Sequence, residues 1–93
     1  MQIDYEPAKN EKNIRERGLS FDQVTGFRWF DAAVDEDTRQ IYSERRFIAV
    51  GYLDNRLHVL CFAETELGIR VISFRKANKR EAKNHDKTLT TDQ

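Results

Sequence analysis

The chain has 93 residues, 16 Lys+Arg against 16 Asp+Glu, one cysteine, six Phe, three Tyr and one Trp. That length supports one domain with a single core, and the aromatic content excludes a disordered chain. The lone Cys61 excludes an intrachain disulfide, and no apolar run approaches the ~18–20 residues that span a bilayer.

The opening "MQIDYEPAKN" lacks the apolar stretch of a signal peptide, so a cytoplasmic location is expected. "IDY" predicts a short first strand. Pro7 suits the first turn of a helix, where no amide hydrogen is needed, and "AKNEKNIRER" carries that helix to Gly18, a good terminator. Ala8 and Ile14 are expected to face inward. Asn10 and Asn13 are poor helix formers on a shared face, which invites a polar role. In "LSFDQV", Ser20 and Gln23 fit a capping box, and Leu19 and Val24 fit a hydrophobic staple. A second short helix is expected from about Phe21 to Phe27 or Arg28, burying Phe21, Val24 and Phe27.

"WFDAAVDED" then reads as extended, with Phe30, Ala32 and Val34 on one face, and residues 35–46 read as an acidic loop. A meander follows: "RFIAVGYL", the two-residue turn "DN", "RLHVLCFAE", the turn "TELG" and "IRVISFR". Asn78 and Glu81 repeat the capping pattern and start a last helix through about His85. The order predicts one α+β domain over 1–86, with an antiparallel sheet, helices largely on one face and a frayed tail over 87–93.

The neutral total conceals an asymmetry. Residues 70–87 hold Arg70, Arg75, Lys76, Lys79, Arg80, Lys83 and Lys87 against Glu81 and Asp86, so the rest of the chain carries the matching acidic excess. Such a split suits a basic face for a polyanion, although a charge run is more often a solvated helix surface. Cys61, in the apolar "LHVLCFA", reads as a small hydrophobe, and His58 should point to the opposite face of that strand. One cysteine and two scattered histidines make no metal site, and no cofactor is expected.

Three separated stretches carry a family resemblance. "YEPAKNEKNIRERGLSFDQV" resembles the opening of the BrnT toxin family, "ERRFIAVGY" its central strand, and "IRVISFRKANKREAKNH" its closing block. The resemblance covers about residues 3–85. It implies a RelE-like fold and a toxin of a type II toxin–antitoxin module that cleaves RNA without a metal and inhibits translation. It also implies a BrnA-type ribbon–helix–helix antitoxin as partner, with operator DNA reached only through that partner. Two positions depart from the family pattern: Arg17 stands where a histidine is usual, and His85 where a tyrosine is.

Metal-independent RNA cleavage needs an activated 2′-hydroxyl, stabilisation of the charge gathering on phosphorus, and a proton for the departing oxygen. Strict alternation sets Arg70, Ile72 and Phe74 on one face of the last strand, and Val71, Ser73 and Arg75 on the other. Arg75, Lys79 and Arg80 are the candidates for charge stabilisation, since arginine grips two phosphate oxygens at once. Arg70, Lys76 and Lys83 are expected to contact RNA, and Lys9 and Arg17 join them by resemblance. For each, a structural ion pair is the competing reading. His85 is the candidate acid–base group, against an ordinary exposed helix-end histidine; Glu64 is a further base, and His58 fits the core better. The rival function is a non-catalytic protein of the same fold that binds an antitoxin or RNA and acts in operon autoregulation. Direct DNA binding is disfavoured, because the two consecutive helices are short and near neutral.

Overall fold

The computed structural model describes residues 1–91, with side chains through His85. The strands are β1 (Gln2–Asp4), β2 (Ala33–Glu36), β3 (Phe47–Leu53), β4 (Arg56–Glu64) and β5 (Gly68–Lys76). The helices are α1 (Pro7–Arg17) and α2 (Lys79–Thr91), with a 3-10 helix at Phe21–Gly26. The class is α+β and the element order is the one expected. The frayed tail expected over 87–93 falls on side chains, and at its last two positions on backbone, outside the described residues.

Local chemistry explains most of the boundaries. Gly18 takes φ 70° and its N–H bonds the Ile14 carbonyl, closing α1. The Ser20 and Gln23 side chains each accept a backbone N–H at 3.2 Å, so the capping box forms, although the turn it starts is 3-10 rather than α. Asp54 and Asn55 adopt φ 50° and 64°, the left-handed pair that matches strand twist in a two-residue hairpin. Asn78 and Glu81 cap α2 reciprocally, at 2.8 and 2.9 Å.

The sheet order is β1-β5-β4-β3-β2. The meander is antiparallel, but β1 joins β5 in parallel, so the sheet is mixed rather than antiparallel throughout. No hairpin links β1 to β5, and their relative direction is set only by the intervening elements.

One face, called inner below, carries the main core. Phe21, Val24 and Phe27 pack there on Ala49, Leu60, Val71 and Phe74. Trp29 joins them, edge-on to Phe27 and Phe62 at 5.0 and 5.3 Å. Gly51 is needed under this layer: a Cβ there would lie 2.7 Å from the Phe27 ring. Phe30 does not pack with Ala32 and Val34 as expected; it is 84% exposed and lies outside any strand. Its ring instead lies 5.1 Å from the Arg28 guanidinium.

Two expectations fail at α1 and β5. Ala8 and Ile14 are exposed. The inward residues are Asn10 and Asn13, because α1 docks through side-chain amides rather than apolar contacts. Asn13 donates to the Phe74 and Leu19 carbonyls at 2.8 and 2.9 Å and accepts from the Phe74 N–H at 3.4 Å; Asn10 accepts from the Phe21 N–H at 2.7 Å. Asn13 thus satisfies backbone groups of β5 beyond the reach of short β1. The second failure is the alternation of β5. Cys61 pairs with Ser73 but Phe62 pairs with Val71, so Ile72 is the extra residue of a β-bulge. Ile69, Val71 and Phe74 therefore share the inner face, and Arg70 and Arg75 both reach the outer one. Strict alternation had set those two arginines on opposite sides.

The outer face is not left bare. Leu57, Val59 and Ala77 form a second small cluster with Ile48, Val50, Tyr52 and Ala82 of α2. Helices thus cover both faces, and not largely one.

Candidate functional site

Beyond the part of the outer face under α2, the polar segment 37–46 supplies charge. Asp37, with only 2% of its side chain exposed, anchors this segment. Arg39 grips its carboxylate with two bonds of 2.9 Å and the Tyr42 hydroxyl donates a third at 2.9 Å. These bonds hold the Asp37 carboxyl well below the usual carboxylate range and raise the Tyr42 phenol. Glu36 bonds Arg45 at 2.8 Å, and Glu44 pairs with Arg70. The stretch expected to be an acidic loop is therefore neutralised by Arg39, Arg45 and Arg70, two of them from the stretch itself.

Arg75 lies at the border between the apolar and charged halves. Its Nη1 and Nη2 donate to the two Glu81 oxygens, both at 2.8 Å. The guanidinium lowers the Glu81 carboxyl to about 2, with the Asn78 backbone N–H assisting. Glu81 is thus ionised at neutral pH and is a weak proton acceptor. Its role is to fix Arg75 between strand and helix. Arg39 lies close enough for its charge to act on Arg75.

The other sequence candidates separate. Lys79, Arg80 and Lys83 are exposed on the side of α2 away from Glu81 and Ala82. Lys76 pairs with His58 across the strands and its side chain is exposed. Lys9 and Arg17 come together with Lys12 and Ser73 along a groove of about 240 Å³ beside the bulge. Glu64 lies at the far end of β4, beside Glu44 and Arg45. His85 is not an exposed helix-end residue. It is 5% exposed, edge-on to Tyr52 at 5.7 Å, and neither ring nitrogen has a hydrogen-bond partner among the described residues. It lines a cleft of about 230 Å³ with Glu81, Asn84, Val50 and Ala33.

His58 is a core residue. Its Nδ1 donates to the Arg56 carbonyl at 2.7 Å, its ring stacks on Phe74, and burial lowers its pKa. Cys61 is half-buried on the outer face opposite Ser73, and burial pushes its thiol up, away from nucleophilic use. Among the described residues, no three His, Cys, Asp or Glu side chains come together as metal ligands, and no helix is long and apolar enough to cross a membrane.

Arg39, Tyr42 and Arg46 are the residues of this region that the sequence reading missed. "DTRQIYSERR" carries three arginines and a tyrosine, but a net-charge count over the window hides them. The run of mixed charges with one aromatic residue was the available signal.

Comparison with known families gives a match over most of the chain. A family model described as "Ribonuclease toxin, BrnT, of type II toxin-antitoxin system" matches residues 5–81. No curated protein matches the chain.

Proposed function

The chain belongs to the BrnT family of ribonuclease toxins of type II toxin–antitoxin systems, and we propose that its RNA-cleaving centre lies on the outer face of the sheet, between segment 37–46 and α2. The observation that carries this reading is the Arg75–Glu81 pair, with His85 in the cleft that Glu81 also lines. Arg75 is held in place before substrate arrives, which is the condition for a cation to stabilise charge developing on phosphorus. Glu81 and His85 stand one helical turn apart on one face of α2. His85, with neither nitrogen engaged by a described residue, exchanges the protons of the 2′-hydroxyl and the leaving oxygen. Lys9 and Arg17, in the groove at the bulge, extend the basic track for the RNA backbone.

In this reading the cations are arginine side chains and cleavage proceeds without a metal. Loss of RNA then inhibits translation in the cytoplasm. The α+β sheet is read as RelE-like. A type II module implies an antitoxin; we take it to be BrnA-type, with a ribbon–helix–helix domain that supplies all contact with operator DNA.

The test is expression of the protein alone, with growth and RNA integrity followed beside R75A and a K79A/R80A/K83A triple variant. The wild type should arrest growth and fragment RNA, also in extracts containing EDTA. R75A should lose both effects and the triple variant should keep most of them. Normal growth with intact RNA in the wild type would leave the non-catalytic, antitoxin-binding reading in its place.

A further inference from the structure

Six of the ten arginines lie at ion pairs or buried positions, and one of these six stands apart. Arg28, Arg39, Arg45, Arg70 and Arg75 each meet a carboxylate. Arg15, Arg17, Arg56 and Arg80 are exposed. Arg46 is half-buried, its Nε is shut off from solvent with no acceptor, and no ion pair reaches it among the described residues. A guanidinium partly withdrawn from water without a counter-charge is costly, and an arriving anion removes that cost.

The side chain is also held. Its guanidinium carbon lies 4.3 Å from the centroid of the Tyr42 ring. The Tyr42 hydroxyl donates to Asp37, Asp37 is gripped by Arg39, and the Asp37 N–H bonds the Arg46 carbonyl at 2.7 Å. Stacking on a ring occupies the face of a guanidinium and leaves its edge for two parallel bonds to an oxyanion.

Direction follows from the sheet. Phe47 stacks on Phe62 in the inner core, so Arg46 next to it faces outward. Its charge reaches Cys61, whose strand partner is Ser73, two residues before Arg75. Building on the proposed RNA-cleaving centre, we propose that Arg46, stacked on Tyr42, is a phosphate-binding residue of the RNA site, gripping a backbone phosphate next to the one at Arg75. Tyr42 is its positioning residue.

The test measures binding of a 2′-O-methyl RNA oligonucleotide, which cannot be cleaved, across a range of salt concentrations. Wild type, R46Q, R46K and R75A are compared, with thermal melting as the control for folding. R46Q should weaken binding roughly 10-fold or more and reduce the slope of log Kd against log salt by about 0.7, the share of one phosphate contact on a single strand. R46K keeps the charge but cannot bond in parallel, so it should weaken binding less and leave the slope unchanged. If R46Q melts early, R46K decides: affinity equal to wild type overturns the proposal. R46Q with wild-type affinity and slope, beside a weakened R75A, also overturns it and leaves the RNA site standing. No binding by the wild type overturns the RNA site itself.

Discussion

The two faces of the sheet treat their polar groups in opposite ways. On the inner face the buried polar side chains bond backbone groups. Asn10 and Asn13 satisfy backbone groups, and His58 bonds its own strand through Nδ1 and stacks on Phe74, while its Nε2 has no partner among the described residues. On the outer face the polar groups are charged and paired with one another, and some are left over: among the described residues Arg46 Nε has no acceptor and His85 no hydrogen bond. A face whose buried polar side chains bond the protein's own backbone holds a fold together. A face that keeps cations fixed but incompletely paired is prepared for a ligand.

Substitutions can break that contrast, and the largest effect should fall on chemistry. R75A removes a fixed cation from the outer face and should lower the RNA cleavage rate by ~10²–10³-fold, with a modest change in melting temperature. A cleavage assay on purified protein beside a thermal melt separates the two. On the inner face the order reverses. N13A leaves the Phe74 N–H and buried carbonyls without partners, at a cost of about 1–3 kcal/mol per group. The melting temperature should fall by ~10 °C or more for a domain of this size, with cleavage per folded molecule unchanged.

G51A is the next smaller effect. Its Cβ would meet the Phe27 ring at 2.7 Å, Ala32 at 3.0 Å and the Arg28 carbonyl at 3.2 Å. Overpacking of this kind costs about 1–3 kcal/mol, read as a lower denaturation midpoint in urea.

Acid should loosen the outer face through a known group. Glu81 titrates at about 2 in the folded protein, below its ordinary 4.5. A depressed carboxyl contributes stability that is fully present above about pH 4.5 and is lost as the pH falls through about 2. Melting curves taken between pH 5 and pH 2 should show a decline that is shallower in E81Q. The smallest effect belongs to R80A, an exposed side chain, which should change stability by under ~0.5 kcal/mol and cleavage by only a few-fold.

Much of the fold was legible because its signals are local. The Ser20–Gln23 and Asn78–Glu81 caps, the Asp54–Asn55 turn and the Gly18 stop each depend on residues within one turn of one another. The features missed depend on distant partners. Ile72 bulges where β4 and β5 meet, and no residue within β5 announces it. Asn13 reaches the backbone of Phe74, 61 positions away, and the parallel direction of β1 is fixed by everything between it and β5. The candidate site divides the same way. Arg75 was readable as the last outward residue of a strand before a helix, and its carboxylate partner lay in the capping motif. Lys79, Arg80 and Lys83 were grouped with it by sequence proximity, although the helix turns them away. Arg46 and Tyr42 were hidden in a segment of mixed charge whose acidic residues mask its arginines.

In the proposed centre the fixed cations of the outer face, rather than the exposed lysines and arginine of α2, perform the family's chemistry. The most direct measurement is the single-turnover cleavage rate of an RNA substrate by purified wild type, R75A and K79A/R80A/K83A at matched folded fraction, with EDTA present. EDTA should leave the wild-type rate unchanged, R75A should lose ~10²-fold or more, and the triple variant should stay within about tenfold of wild type. A triple variant that is inactive while R75A cleaves at the wild-type rate would contradict the proposed centre.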